Sequence, residues 1–311
     1  MGQAALLRAQ TPGRGVRRVG VLAPSTAAKK EINLQPFFDQ MRQLGWIEGD
    51  TVVYDRAYAD DQQQLLPRLA AELVARDPQL IYAPPTPAAV AARRATDTIP
   101  IVFGAVHDPV GAGLVASLAR PGGNVTGICV LAETLAPKRI QLLREILPNL
   151  KRLGWLADAS DTSEYRSFAP LAARLGVTVV FAEVANPQAA EGAMGRLLSE
   201  RADAIYIGQG PLLYNMRARM VELANQQRLP VISARAQYAD AGAVFTYGAA
   251  LGDQLRRSAF AVDKILRGAK PANIPVEQAT LFDLVVNLRA AKSLGITIPR
   301  SMLLRADRVI E

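Results

Sequence analysis

Cysteine and histidine are almost absent from this chain, which has one of each. The lone Cys129 cannot form an internal disulfide, and so few Cys and His residues cannot supply a Cys- or His-based metal site. No apolar run approaches the roughly 20 residues that are needed to span a bilayer. The sequence therefore excludes a disulfide framework within the chain, and it predicts neither a metal nor another cofactor.

Catalytic motifs are lacking as well. His107 stands beside Asp108, but the G-x-S-x-G motif that would supply a serine nucleophile is missing. The run GQGPLL has Leu213 where a dinucleotide-binding motif has its third glycine, and no phosphate-binding Walker A motif occurs. Because binding without chemistry is the simpler account, we predict that the protein is not an enzyme.

Basic residues outnumber acidic ones, and the formal net charge is +8. The Lys and Arg residues are scattered among Asp and Glu and form no basic stripe with interleaved aromatics, so we predict no nucleic-acid partner. Residues 1–15 resemble either the remnant of an export leader or a disordered tail, and their composition leaves both readings open.

The 311 residues are half hydrophobic, which fits two domains of ordinary size. The second half repeats the first: RRVGVLAPS at 17–25 is echoed by KRLGWLADAS at 151–160. Gly20 and Gly154 are 134 residues apart, and Pro100 and Pro230 are 130 apart. In each half, aliphatic runs alternate with helical patterns, two of which end in Gly45 and Gly176. The sequence thus predicts an α/β fold of two Rossmann-like lobes, with parallel sheets flanked by helices.

A ligand of such a fold is expected beyond the carboxyl ends of the strands, in the cleft between the lobes. Thr86 is predicted to be the N-cap of a helix, and Pro87 to be its first residue, so that the helix N-terminus favours an anion. Asp158 could receive an ammonium group or bind the backbone of its own turn. The predicted site comprises Ser25, Thr86, Pro87, His107, Asp108, Asp158, Ser160, Gln209, Arg235 and Tyr247.

Several longer stretches resemble a known family. The block DPVGAGLVASLARPGGNVTGI at 108–128, with PKRIQLLREILP at 137–148 and AAKSLGITIP at 290–299, is similar to the solute-binding proteins of ABC importers related to the tryptophan/tyrosine-binding group. The resemblance runs over about residues 17–311. The chain departs from it at Ala236, Gln237 and Tyr238, where relatives often carry an Arg-Glu-Phe-like run, and this leaves the identity of the ligand open.

The resemblance implies a periplasmic binding protein of type I, hinged between its lobes. It places residues 16–127 with 251–276 in lobe 1, and residues 128–250 with 277–311 in lobe 2. It also implies a periplasmic protein whose leader is missing or truncated here, acting as a monomer with a membrane permease. Ser25, Thr86, the His107–Asp108 turn, residues 158–160 and Gln209 match cleft positions of similar proteins.

The predicted function is therefore an extracytoplasmic solute receptor of an ABC importer, which binds a small carboxylate-bearing solute such as an aromatic or other amino acid, or an aromatic acid. Two alternatives remain at this point. One is the ligand-sensing domain of a regulator, although the stretch before residue 17 is too short for a helix-turn-helix. The other is an α/β enzyme that acts on a small acid through His107 and Asp108.

Overall fold

Two mainly parallel sheets organise the protein. The computed structural model describes residues 15–24, 26–130, 132–159 and 162–311. The strands in chain order are β1 (Arg17–Ala23), β2 (Val52–Tyr58), β3 (Leu80–Tyr82), β4 (Ile101–Val106), β5 (Val125–Cys129), β6 (Arg152–Asp158), β7 (Thr178–Val184), β8 (Ala204–Ile207), β9 (Val231–Ser233), β10 (Phe245–Ala249), β11 (Glu277–Gln278), β12 (Phe282–Asn287) and β13 (Arg308–Ile310). Every residue of β4 and β5 is buried, as expected of strands that are covered on both faces.

The strand order shows the same arrangement twice. The first sheet runs β11-β5-β4-β3-β1-β2, and the second runs β13-β12-β10-β9-β8-β6-β7. The order 5-4-3-1-2 in the first sheet corresponds to 10-9-8-6-7 in the second, so the repeat that the sequence predicts is present as a repeated topology. The pairing of β10 with β12 is antiparallel. The α/β fold of two Rossmann-like halves is therefore confirmed.

Helices cover both faces of each sheet. In chain order they are α1 (Ala27–Gln43), α2 (Leu66–Val74), α3 (Thr86–Ala95), α4 (Ala132–Ile146), α5 (Ser163–Arg174), α6 (Ala190–Ser199), α7 (Pro211–Asn215), α8 (Arg217–Gln226), α9 (Gln237–Asp240), α10 (Leu251–Leu266), α11 (Leu288–Ser293) and α12 (Arg300–Leu303). Gly45 and Gly176 follow α1 and α5 with φ of 91° and 70°, the left-handed conformation that closes a helix. No helix in the described ranges is both long and apolar enough to cross a membrane.

Each sheet with the helices packed on it forms a lobe, and the chain passes between the lobes three times. Helix α4 follows β5 of the first sheet but packs against α5, whereas α10 follows β10 of the second sheet but packs against α1 and β4. The third crossing joins β11 to β12. The predicted boundaries at 127/128 and 276/277 fall slightly early, because β5 continues to Cys129 and β11 pairs with β5 in the first sheet.

Large aromatic side chains fill the interior of both lobes. In the first lobe Phe37 stacks on Tyr82 with 3.9 Å between ring centroids, and in the second Trp155 stacks on Tyr206 at 4.1 Å. All four side chains are fully buried or nearly so. Because both cores are large, each lobe supplies a firm base for the loops at the carboxyl ends of its strands.

Candidate functional site

A chamber lies between the lobes at the carboxyl ends of the parallel strands, where ligands of open α/β sheets bind. With the open part of its mouth it encloses about 490 Å³. Both lobes contribute to its wall, and the first lobe does so in part through Leu34 of α1 and Leu255 of α10. The residues that line it are Leu34, Pro84, Pro85, Ala105, Pro211, Tyr214, Asn215, Arg235, Leu251 and Leu255. The wall is therefore mostly apolar, with a small number of polar groups.

Arg235 brings a positive charge to this chamber. It follows β9, and its guanidinium carbon lies 5.2 Å from the centroid of the Tyr214 ring. Its Nε is buried, and it has no hydrogen-bond partner among the described residues. A guanidinium that stacks on an aromatic ring keeps its edge donors free for a carboxylate, which it binds in a bidentate manner.

The N-terminus of α3 reaches the chamber through Pro84 and Pro85. Pro85 is the N-cap, with an extended ψ of 159°, and Thr86 is the first helical residue. The prediction that Thr86 is the cap and that Pro87 begins the helix is thus wrong by one residue, because Pro85 already has the extended conformation of a cap and Thr86 turns into the helix. The Thr86 hydroxyl makes no capping bond and, within the described ranges, is buried without a partner.

A buried ionic network lies in the second lobe near the hinge. Arg139 of α4 is 1% exposed and donates from Nη1 to Oε1 of Glu164 at 2.7 Å. The same carboxylate oxygen accepts from the Tyr206 hydroxyl at 2.6 Å and from Nε2 of Gln209 at 3.0 Å. Arg139 also donates from Nε to the backbone carbonyl of Tyr247, at 2.8 Å, in the hinge strand β10. The network therefore joins the end of β8, which faces the cleft, to β10, the strand after which the chain crosses to the first lobe.

The Glu164 carboxylate of this network is held in its charged form. Burial alone would raise its pKa, but the positive charge of Arg139, the field of His107 and the hydrogen bonds from Tyr206 and Gln209 lower the pKa below its ordinary value. His107 itself is buried at the end of β4 in the first lobe. The effect of His107 on the pKa of Glu164 therefore comes from the opposite lobe.

The two predicted aspartates both bind backbone amides. Oδ1 of Asp108 accepts from the N–H of Gly111 at 2.7 Å and stabilises the turn after β4. Oδ2 of Asp158 accepts from the N–H of Leu212 at 2.7 Å and fixes the start of α7. Of the two roles that the sequence left open for Asp158, this geometry shows the backbone one.

The other predicted residues that the structure describes divide between the chamber and the ionic network. Arg235 lines the chamber, and Thr86 and Pro87 follow the lining residues Pro84 and Pro85 along the chain. His107, Gln209 and Tyr247 belong to the surroundings of the ionic network rather than to the chamber wall described above. Ser25 and Ser160 lie outside the described residues.

Sequence reasoning missed Arg139, Glu164 and Asn215. Arg139 and Glu164 occur within helical patterns that carry many charges, where a buried ion pair has the same local appearance as two solvated residues. The signal that could have found Asn215 is its place in the segment after β8, which the switch-point rule places at the cleft.

Comparison with known proteins gives a consistent result. The model of a family described as ABC transporter substrate binding protein matches residues 18–310. A tyrosine-binding protein of Clostridioides difficile is 26% identical over 261 residues, which cover 83% of this chain and 75% of that protein.

Two solved structures are similar over nearly the whole chain. A conserved domain protein of Vibrio cholerae is 31% identical, with a TM-score of 0.89, and the match covers 95% of this chain and 100% of that one. An ABC domain of Streptococcus pneumoniae in complex with L-Trp is 26% identical, with a TM-score of 0.87 and the same coverage.

Proposed function

Because this chain belongs to the ABC transporter substrate-binding protein family, we propose that it is an extracytoplasmic solute receptor of an ABC importer. The solute is a small carboxylic acid with an apolar body, either an aromatic or other amino acid or an aromatic acid. The receptor delivers it as a monomer to a membrane permease and does not alter it chemically.

The observation that carries this proposal is the pairing of Arg235 with apolar walls in one chamber. The guanidinium on the Tyr214 ring supplies donors for a carboxylate, and the N-terminus of the ten-residue helix α3 adds a favourable field for an anion. Pro84, Leu251 and Leu255 offer apolar surface to the rest of the solute.

The names of two relatives support the same class of solute. One is a tyrosine-binding protein, and the other was solved with L-Trp. Both ligands carry a carboxylate and an aromatic ring, which are the two groups that a guanidinium and an apolar wall recognise. The departures at Ala236 and Gln237 keep non-amino-acid aromatic acids within the proposal.

The mechanism is a population shift between open and closed arrangements of the lobes. The chamber takes its wall from both lobes, so a solute that fills it gains contacts in the closed form that the open form cannot offer. A solute that contacted one lobe alone would bind both forms equally well and would not drive closure.

Thermal denaturation with a panel of solutes tests the proposal. The panel contains L-tryptophan, L-tyrosine, L-leucine, 3,4-dihydroxybenzoate and benzoate, each with its amide as the counterpart that lacks the carboxylate charge. A solute at about 100 times its Kd stabilises the folded protein by about 2.7 kcal/mol. Failure of every carboxylate in the panel to raise the Tm would contradict the proposal.

A matched pair of variants tests the role of Arg235. We expect Arg235→Gln to weaken binding of the carboxylates by about 10- to 150-fold, the loss that corresponds to a hydrogen bond with a charged group, and to leave the amides unaffected. Arg300→Gln is the control, because it removes the same charge from a residue that is exposed on α12. Equal binding by both variants would refute the assignment.

A further inference from the structure

A direct hydrogen bond joins the two lobes beside the chamber. Nδ2 of Asn215, at the end of α7 in the second lobe, donates to Oδ1 of Asp61, in the loop after β2 of the first lobe. A carboxylate only accepts hydrogen bonds, so it requires the nitrogen of the amide to face it. The two residues thus form one cross-lobe bond between a charged acceptor and a neutral donor.

The pair stands at a boundary between two spaces. Asn215 lines the chamber. Asp61 lines a separate, polar groove on the other side, together with Gln62, Asp158 and Asn186. The bond therefore lies between the chamber and this groove.

The backbone of Asp61 has a left-handed conformation. Asp60 and Asp61 have φ of 49° and 63°, in the left-handed region that most L-residues avoid and that Asp adopts more readily than they do. The N–H of Asp61 donates to the carbonyl of Pro24 and that of Gln62 to the carbonyl of Ala59, both at 2.8 Å, so the turn is tied to the first lobe. The turn directs the Asp61 carboxylate across the cleft to Asn215.

From these observations we propose that Asp61 is a positioning residue of the solute site. It holds Asn215 across the mouth of the cleft, stabilises the closed form and slows the release of the solute, without lining the chamber itself. The inference rests on the proposed function, since it assumes a solute in the chamber. The bond exists only in the closed form, so its loss speeds reopening and the effect falls on the dissociation rate.

A double-mutant cycle on the full chain tests the pair, with L-tryptophan as the probe. Asp61→Ala is expected to raise the dissociation rate about tenfold, the loss for one hydrogen bond to a charged group of about 1.5 kcal/mol, with an unchanged association rate. Asp61→Ala combined with Asn215→Ala is expected to bind no more weakly than Asn215→Ala alone, because both changes remove the same bond. If the two substitutions acted independently, so that their effects on the dissociation rate multiplied in the double variant, the proposal would be overturned.

Asp60→Ala is the matched control. It removes the same charge from the neighbouring residue, which has the same left-handed backbone and an exposed side chain. We expect its dissociation rate to change less than twofold. If Asp60→Ala and Asp61→Ala behaved alike, the effect would come from charge or from the turn, and the cross-lobe bond would play no part.

A second measurement needs no solute. Spin labels on Ala71→Cys of α2 and Gly192→Cys of α6 occupy exposed positions on the two lobes, while the native Cys129 is buried. Double electron–electron resonance on the solute-free protein is expected to show fewer closed molecules in Asp61→Ala than in Asp60→Ala. An unchanged distance distribution would overturn the proposal. If no solute of the thermal-denaturation panel binds, this distance measurement still decides the role of Asp61. If solutes bind but Asp61→Ala changes neither the dissociation rate nor the distances, only the inference about Asp61 fails.

Discussion

The buried ion pair between Arg139 and Glu164 makes one strong prediction about stability. Glu164→Gln keeps the volume of the side chain and its hydrogen-bond acceptor, but it removes the negative charge. The Arg139 guanidinium, 1% exposed, then stays buried without its counter-charge. The perturbation therefore isolates the cost of an uncompensated charge from the cost of a cavity.

The magnitude follows from the burial of both partners. Removal of one member of a buried ion pair costs about 3–5 kcal/mol, and the retained acceptor of Gln places this variant near 3 kcal/mol. For a folding unit of 150–250 residues each kcal/mol shifts the Tm by roughly 2–4 °C, so we expect a fall of roughly 6–12 °C. Glu164→Gln with Arg139→Met is expected to lose less than the sum of the two single losses, because no charge is then left unpaired.

Calorimetry and urea denaturation measure these losses. Glu200→Gln is the control: its ion pair with Arg152 has a similar length of 2.9 Å, but the side chains are 51% and 39% exposed. This exposed pair is expected to contribute less than about 0.5 kcal/mol. A loss below about 1 kcal/mol for Glu164→Gln would refute the reasoning, since it would show that solvent or a neighbouring group compensates the Arg139 charge.

Two further predictions concern titration. The folded-state pKa of Glu164 lies below its ordinary value of 4.5, so the unfolded chain takes up a proton at a higher pH than the folded protein does. The stabilising contribution of the charged carboxylate is therefore full above about pH 4.5 and is lost below it. Urea denaturation from pH 6 to 3 should therefore show a shallower acid limb in Glu164→Gln than in the wild type, and identical slopes would contradict this. Burial raises the pKa of the Cys129 thiol to about 11, so the native protein at pH 8 should resist Ellman's reagent and react fully in denaturant; rapid reaction of the folded protein would show that the thiol is accessible.

Local sequence patterns were sufficient to predict the main strands and helices and their order along the chain. Aliphatic runs predicted the buried strands, and glycines such as Gly45 and Gly176 marked helix ends, because these signals depend on a few neighbouring residues. The repeat at Gly20 and Gly154 predicted two similar lobes, and the switch-point rule located the cleft. The same rule led to the prediction of Arg235, which follows a strand that ends at the cleft and lines the chamber.

Other features could not be predicted because they depend on contacts between distant segments. The pairing of Arg139 with Glu164 requires α4 to pack on α5, and the bond of Asp61 to Asn215 joins residues in different lobes. Whether Asp158 binds a ligand or a backbone amide was decided by the position of Leu212 at the start of α7.

The sequence by itself thus determined the α/β class, the duplication and the edge of the sheets at which the chamber lies, because hydrophobic periodicity and turn residues act locally. The tertiary structure alone decided which charges are buried together, which aspartate bridges the lobes and where the chain crosses between them. The physical reason is that these choices depend on distances between atoms that are far apart in the chain, and no local pattern encodes such distances.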